Sequence, residues 1–215
     1  MENRMLVINA HPKVESASSV SLNVLNHFKH VYKELNPNET IDQVNLYGEE
    51  IPSIDQTVLS ALGKLANGEQ LVEEEKRVTE RMSEVLQQFK RANKYVIVMP
   101  LHNFNVPSKL KDYMDNILIA RETFKYTENG SVGLLKDGRS VLVIQGSGAV
   151  YTNNDWYTEV EYSHKYLKSM FNFMGLEDYQ LIRVQGSAVL DRDELLKKAY
   201  GEAEAAAAHL STKYV

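Results

Sequence analysis

Short apolar runs alternate along the chain with longer segments in which apolar residues recur at helical spacing. Within residues 19–35, for example, Leu22, Leu25, Phe28 and Tyr32 fall on one face, as they do in a helix that packs on a core. The apolar runs predict buried strands at residues 5–8, 41–46, 95–99, 140–144 and 179–184. The amphipathic segments predict helices at residues 19–35, 71–91, 109–119, 157–174 and 191–210.

The alternation of strands and helices predicts a parallel sheet, because parallel neighbours need a crossover connection that a helix usually makes. We therefore expect an α/β fold with a five-stranded parallel sheet and helices on both faces, in a single domain over residues 1–215. Two insertions interrupt the alternation, near residues 47–69 and 122–138. The first has Pro52 and little periodicity, whereas Asn129 and Gly130 in the second favour a hairpin turn.

Composition narrows the class of protein. The chain has 215 residues, 43% of them hydrophobic, which suffices for one well-buried core, and its net charge of −5 gives no support for nucleic-acid binding. The absence of cysteine excludes disulfides, thiolate metal sites and cysteine nucleophiles, and it fits a reducing compartment. Residues 1–4 enter the first strand without a secretory signal pattern, and no apolar run has membrane-spanning length. We therefore expect a cytoplasmic protein that does not associate with membranes.

The segment from residue 95 to residue 126 is the most informative part of the chain. A buried strand ends at Pro100, a loop of apolar and amide side chains follows at residues 101–106, and a helix begins after Pro107. Open α/β sheets bind ligands where a strand ends in such a loop. Because the loop has no strong acid, base or thiol, it suits a flat, reactive cofactor better than chemistry by the protein itself. Ordinary loop packing beside prolines explains the same pattern.

Two further loops follow predicted strands. Ser16, Ser18 and Ser19 come after the first strand, and Gly146 and Gly148 come after the fourth. Because the carboxyl ends of parallel strands share one edge, we expect these loops to meet the loop at residues 101–106. Serines at a helix start can bind phosphate, and glycines let the backbone approach a ligand. A serine could equally be a simple N-cap and the glycines a tight turn. Neither GxGxxG nor GxxxxGK[ST] is present.

Two other kinds of site have weaker support. His11 and His102 lie in candidate loops, but no HxxxH or H-x-H pair with carboxylates is present, so we expect no metal site. Ser147, His102 and Asp155 could form a hydrolase triad, although the GxSxG nucleophile elbow is absent.

Together these motifs resemble the FMN-dependent azoreductases, a family also described as NADH:quinone oxidoreductases, which has a flavodoxin-like fold. The similar segments are residues 9–19, 46–47, 51–55, 99–104, 107–115, 123–128 and 145–151. The most specific part runs from Asn103 to Glu128, where the family has a similar Asn-Phe-x-x-Pro, Leu-Lys and Thr-Phe-x-Tyr-Thr pattern. The resemblance implies a homodimer that passes electrons from NADH or NADPH through bound FMN to quinones and aromatic azo compounds, by a ping-pong mechanism.

The resemblance also implies roles for individual residues. The residues that would hold the FMN phosphate and ribityl chain are His11, Ala17, Ser18 and Ser19. The residues that would line the isoalloxazine ring are Pro100, Leu101, His102, Asn103, Phe104, Gly146, Ser147, Gly148 and Ala149. The residues that would contact substrates are His102, Leu62, Phe124, Tyr126 and Tyr151. No catalytic side chain is implied, because the flavin N5 carries the chemistry.

The sequence departs from the family pattern at several of these positions. His102 stands where Tyr or Trp is usual, and Leu62 stands where close relatives have Trp. Ser147 and Ala149 occupy positions that Arg or Asn and Gly often hold. These changes bear on substrate preference and on the choice between NADH and NADPH. The alternative of another class is a non-enzymatic, FMN-binding electron carrier or sensor, but such a module would be shorter and would need no substrate cavity.

Overall fold

The computed structural model describes residues 4–212; residues 1–3, in the segment without a secretory signal pattern, and residues 213–215 lie outside the described part of the chain. The strands are β1 (Arg4–Asn9), β2 (Thr40–Asn45), β3 (Lys94–Pro100), β4 (Phe124–Thr127), β5 (Gly130–Gly133), β6 (Ser140–Ser147) and β7 (Asp178–Gln185). The helices are α1 (Val20–Leu35), α2 (Gln56–Asn67), α3 (Glu73–Arg91), α4 (Ser108–Ile117), α5 (Trp156–Glu159), α6 (Tyr162–Met174) and α7 (Arg192–Ser211). Across residues 4–212, no helix is both long and apolar enough to cross a lipid bilayer.

Five strands form one sheet in the order β2-β1-β3-β6-β7, and every neighbouring pair in it is parallel. This order is the doubly wound order of flavodoxin-like proteins, and it confirms the predicted α/β fold. The carboxyl ends of β1, β3 and β6 therefore lie side by side, and the loops that follow them meet at one edge.

Helices cover both faces of the sheet. On one face, Leu6 and Ile97 join a buried cluster with side chains from α3, α4 and α6. On the other face, Met5 and Val96 join a cluster with α1 and α7. Successive residues of one strand thus enter different cores, which explains why the central strands are apolar runs without alternation.

The first predicted insertion contains a helix, α2, that the sequence interpretation missed. It begins after Asp55, whose side chain accepts a hydrogen bond from Val58 N, and it ends at Gly68 with φ 71°. Its buried residues are Val58 and Ala61, while Leu59 and Leu65 are exposed. Apolar residues on several sides of a helix blur the single stripe that periodicity detects.

The helix predicted over residues 157–174 is in fact two helices, α5 and α6. The break falls at Val160 and Glu161, and Glu161 has a non-helical ψ of 71°. At that position the Glu161 carboxylate pairs with Arg183 on β7. A tertiary ion pair thus interrupts a segment whose local pattern is helical throughout, which sequence periodicity cannot reveal.

The second insertion forms the hairpin predicted from Asn129 and Gly130. Strands β4 and β5 pair antiparallel, and Gly130 has φ 116°, which favours glycine. Gly133, at the end of β5, passes so close to the backbone of Met174 and Gly175 that a Cβ there would lie 2.4 Å from it. The hairpin is therefore held against the end of α6.

Candidate functional site

A cavity of about 330 Å³ lies at the carboxyl edge of the sheet. The predicted site residues that line it are His11, Ser18, Ser19, Pro100, Leu101, Gly146, Ser147 and Gly148. They come from the carboxyl ends of β3 and β6 and from the loops that follow β1, β3 and β6, so the expected meeting of the three loops is confirmed. The cavity is also lined by residues that the sequence interpretation did not single out, namely Val20, Ser21, Ser187 and Arg192.

The start of α1 supplies the polar end of this cavity. Ser19 is the N-cap, and its Oγ accepts a hydrogen bond from Leu22 N at 3.3 Å. Within residues 4–212, the N–H groups of Val20 and Ser21 donate to no protein acceptor. Unpaired N–H groups and the helix dipole together make a favourable environment for an anion. Ser19 is thus an N-cap, as the simpler interpretation held, at a helix start that can also bind phosphate.

Gly146 allows the end of β6 to pass closely under α1. A Cβ at this position would lie 3.1 Å from both Cβ and Oγ of Ser21. The Gly146 carbonyl accepts a hydrogen bond from Leu101 N at 2.7 Å, which ties the loop after β3 to the end of β6. Bare backbone and apolar side chains therefore form a surface against which a flat ring can lie.

A tight turn at residues 102–105 forms the rim of the site. His102 N donates to Asn105 O at 2.9 Å, and Asn105 N donates to His102 O at 3.0 Å. The two central residues, Asn103 and Phe104, have φ of 48° and 65°, a conformation that side-chain-bearing residues rarely adopt. The cost of such a conformation is of the order of 1 to 3 kcal/mol for each residue, so the surrounding structure must hold the turn in place.

The start of α6 holds this turn. The Phe104 carbonyl accepts hydrogen bonds from Tyr162 N at 3.0 Å and from Ser163 N at 3.2 Å. The Phe104 ring lies edge-on to Trp156, with 5.2 Å between ring centroids. These N–H groups belong to the first turn of α6, so the position of the rim depends on the position of that helix.

A buried polar network attaches the start of α6 to the sheet. Glu161, which is only 3% exposed, accepts hydrogen bonds at Oε1 from Gln145 Nε2 and from Arg183 Nε, both at 2.8 Å. Arg183 Nη2 donates to the second carboxylate oxygen at 2.9 Å. Ser163 Oγ donates to Gln145 Oε1 at 2.6 Å. Glu161 was not among the predicted site residues, because in the sequence it is one acidic residue within a continuous helical pattern.

The loop between β7 and α7 braces the loop after β6. Gly186 N donates to the carbonyls of Ser147 and Ala149, both at 3.0 Å, and Ser187 N donates to Ser147 O at 3.1 Å. Because the fifth strand ends at the same edge as the others, the serine that follows it could have been recognised as a site residue. Ser147 Oγ donates to Ala149 O at 2.9 Å, so it stabilises its own loop.

The charges around the cavity are few. Burial lowers the pKa of the His11 imidazole, and its Nδ1 accepts a hydrogen bond from Lys13 N at 3.0 Å. At neutral pH this side chain is therefore an uncharged group at the cavity wall. Arg192, the first residue of α7, donates from Nη1 to Ser18 O at 3.1 Å. The cavity wall thus combines hydroxyl groups, backbone N–H groups and one guanidinium.

Some predicted cofactor contacts lie beside the cavity rather than on its wall. Ala17 lines a neighbouring polar cavity of about 380 Å³ between the loop after β1 and α1. His102 and Asn103 are exposed on the rim turn, Phe104 is half-buried behind them, and Ala149 is half-buried at the end of the loop after β6.

The predicted substrate contacts are spread more widely. Phe124 is buried against Phe173, with 4.6 Å between ring centroids, while Tyr126 on the same hairpin is 75% exposed. Tyr151 is buried and lies 5.5 Å from the Tyr157 ring. Leu62 lines a separate cavity of about 240 Å³ where α2, α3 and α4 meet. Within one chain, Phe124, Tyr126, Tyr151 and Leu62 do not line the cavity that the three loops form.

The hydrolase alternative has no support in the geometry. Asp155 accepts hydrogen bonds from the backbone of Tyr157 and Thr158, at the start of α5. Ser147 Oγ is directed to Ala149 O, and within the described part of the chain no hydrogen bond joins Ser147, His102 and Asp155. A nucleophile, a base and an orienting acid in mutual contact are what such a mechanism needs. No group of three or more His, Asp or Glu side chains suited to a metal ion occurs among residues 4–212.

Known proteins are similar to this chain in sequence and in fold. The sequence model of a family described by its flavodoxin-like fold matches residues 3–207. An FMN-dependent NADH:quinone oxidoreductase 1 of Bacillus cereus is 69% identical over 212 residues, which cover 98% of this chain and 100% of the relative. The crystal structure of an FMN-dependent NADH-azoreductase from Bacillus anthracis, in complex with FMN, is 68% identical with a TM-score of 0.96, and the match covers 98% of this chain and 100% of that one. An azoreductase structure from Bacillus anthracis str. Sterne is 30% identical with a TM-score of 0.88, over 95% of this chain and 98% of that one.

Proposed function

The chain belongs to the family with this flavodoxin-like fold, and on that premise we propose that it is an FMN-dependent oxidoreductase that transfers electrons from NADH to quinones and cleaves aromatic azo compounds reductively. One observation carries the proposal: the chain is 68% identical, over 98% of its length, to a protein whose crystal structure contains FMN. The enzyme is favoured over a passive electron carrier, because its near-full-length relative is named for the NADH:quinone reaction.

The residues at the sheet edge fit FMN. The unpaired N–H groups at the start of α1, with the Ser18 and Ser19 hydroxyls, suit the terminal phosphate. The bare backbone at Gly146 and the Leu101 side chain suit one face of a flat ring. The strained turn at residues 102–105 presents backbone groups at the rim, where a ring edge with donors and acceptors can be bound.

When bound, FMN supplies the redox chemistry: it takes a hydride from NADH and passes two electrons to the second substrate. The chain positions the reactants and excludes water, and it needs no nucleophile or general base of its own. Backbone N–H groups of the loops after β3 and β6 would stabilise negative charge on the bound cofactor in the way that an oxyanion hole does. NADH and the quinone or azo compound would bind in turn at the same face of the flavin. Alternate binding of this kind gives a ping-pong mechanism.

We propose further that the protein is a cytoplasmic homodimer whose second protomer completes the substrate cavity. The apolar residues along α2 support this, because Leu59 is 60% exposed and Leu65 52% exposed, with Leu62 between them. Exposed apolar patches of this kind mark interaction surfaces. In such a dimer, Leu62 on α2 and Phe124 and Tyr126 on the β4–β5 hairpin would face the flavin of the other protomer. His102 and Tyr151 would complete the substrate cavity. The absence of cysteine supports the cytoplasm.

The oligomeric state can be tested by light scattering on Leu59→Lys, with Leu35→Lys as the matched control. Leu35 is also exposed, but it lies at the end of α1. We expect a dimer for the wild type and for Leu35→Lys, and a shift toward the monomer for Leu59→Lys. A dimer of unchanged stability in Leu59→Lys would exclude the α2 surface as the interface.

The reaction itself can be tested by steady-state kinetics with NADH and a soluble quinone. We expect NADH consumption that depends on FMN, with parallel double-reciprocal lines when one substrate is varied at several fixed levels of the other. Decolourisation of an azo dye with NADH tests the second substrate class. Protein that retains FMN but consumes no NADH with any quinone would favour the electron carrier instead, and intersecting lines would contradict the ping-pong mechanism.

A further inference from the structure

Arg192 is a cation at the cavity wall that the flavin-binding motifs of the sequence do not include. It is the first residue of α7, and it lines the same cavity as Ser18, Ser19 and Ser187. One of its N–H groups is used, in the 3.1 Å bond from Nη1 to Ser18 O. Within residues 4–212 the guanidinium has no carboxylate within ion-pair distance, so its other donors remain free for a ligand.

The cavity needs such a cation if it holds a dianion. The other lining residues are neutral, since His11 loses its proton more readily than usual when buried. The start of α1 offers N–H groups and a helix dipole, which amount to a partial positive charge. A phosphate monoester carries between one and a half and two negative charges near neutral pH, by rough analogy with phosphorylated side chains. Among the lining residues, Arg192 has the permanent positive charge that can neutralise the part of the phosphate charge that the start of α1 does not compensate.

The Asp191 carboxylate, next to Arg192 in sequence, does not neutralise its charge. The Asp191 carboxylate is the N-cap of α7, where it accepts hydrogen bonds from Asp193 N and Glu194 N, both at 3.0 Å. That carboxylate is thus directed along its own helix, and the guanidinium is directed to the serine loop after β1.

We propose that Arg192 binds the terminal phosphate of FMN and makes the protein select FMN over riboflavin, an inference that rests on the proposed function. A guanidinium forms charge-assisted, bidentate hydrogen bonds with phosphate oxygens, whereas an ammonium acts as a single point of charge. The competing explanation is that Arg192 only holds the serine loop through Ser18 O.

Equilibrium dialysis of the full-length protein against a mixture of FMN and riboflavin tests the proposal without requiring enzyme activity. The ratio of bound FMN to bound riboflavin gives the selectivity directly. This ratio does not depend on how much of a variant is folded, because both flavins bind the same sample. The variants are Arg192→Gln, Arg192→Lys and the control Lys197→Gln, which removes an exposed positive charge from the same helix outside the cavity.

We expect the preference for FMN to fall roughly ten- to a hundredfold in Arg192→Gln, as for the loss of a charge-assisted hydrogen bond. Arg192→Lys should keep part of the preference, and Lys197→Gln should keep all of it. The wild-type preference should also decrease more steeply with ionic strength than that of Arg192→Gln, because salt screens the guanidinium charge but does not move a loop.

An unchanged preference for FMN over riboflavin in Arg192→Gln would overturn the proposal. Equal loss of affinity for the two flavins would give that result. An Arg192→Gln protein with a reduced FMN preference but the same salt dependence as the wild type would also overturn the proposal. That result would show that Arg192 acts by positioning the serine loop and not through its charge. A wild-type protein that retains neither flavin would refute the proposed function and this inference with it.

Discussion

Glu161→Ala should destabilise the protein strongly, because it removes the carboxylate that attaches α6 to the sheet. Three hydrogen bonds to charged or amide groups are lost, two from Arg183 and one from Gln145. Removing one member of a buried ion pair typically costs about 3 to 5 kcal/mol, because the other charge is left without a partner. The Arg183 side chain is 29% exposed, so water can solvate it in part. We therefore expect the lower end, about 3 kcal/mol.

The assay is urea unfolding at neutral pH, followed by far-ultraviolet circular dichroism. For a domain of this length, a loss of about 3 kcal/mol corresponds to a fall in Tm of about 6 to 12 °C, which a thermal scan measures independently. Glu159→Ala is the matched control, since Glu159 is exposed and its side chain makes no hydrogen bond within residues 4–212. That variant should differ from the wild type by less than about 0.5 kcal/mol.

The same substitution should loosen the rim of the site. Tyr162 N and Ser163 N hold the strained Phe104 carbonyl, and both belong to the helix start that Glu161 anchors. We expect faster hydrogen exchange at these two amides in Glu161→Ala than in Glu159→Ala. A loss of less than about 1 kcal/mol, with unchanged exchange at Tyr162 and Ser163, would refute the view that this buried pair positions the turn.

Three further predictions follow from the packing and the charges. Gly133→Ala should lower the free energy of unfolding in urea by about 2 kcal/mol or more, because the new Cβ would lie 2.4 Å from the Met174 backbone. Gly201→Ala should raise it by about 0.5 to 1 kcal/mol, because nothing lies within 4 Å of the new Cβ and alanine favours the helix. Destabilisation by Gly201→Ala would contradict that reasoning. Hydrogen bonds from Lys64 and other donors lower the pKa of Glu75 from 4.5 to about 2, so its contribution to stability is present above pH 4.5 and is lost as the pH falls toward 2. The difference in unfolding midpoint between wild type and Glu75→Gln should therefore shrink over that range, and a difference independent of pH would exclude the ion pair as its cause.

The sheet and the meeting of its loops could be predicted from sequence because both follow from local patterns. An apolar run such as residues 95–99 predicts a buried strand, and parallel strands bring the loops that follow them to one edge. The turn signal at Asn129 and Gly130 likewise predicts the hairpin without knowledge of the rest of the fold.

The parts that sequence analysis missed depend on contacts between distant residues. Glu161 interrupts a helical pattern because Arg183, which is 22 residues away, pairs with it. Arg192 reaches Ser18 across 174 residues of sequence, so no local spacing could place it at the cavity. The left-handed conformation of Phe104 is also invisible locally, since the N–H groups that bind its carbonyl come from the start of α6, more than 50 residues away.

The most direct test of the proposed reaction is an anaerobic titration of the FMN-loaded protein with NADH, followed in the visible absorption band of the flavin. We expect the band to bleach stoichiometrically with added NADH and to return when a quinone is added, with no other protein present. Bound flavin that keeps its absorption in excess NADH would contradict the proposed oxidoreductase reaction and would favour an electron carrier or sensor.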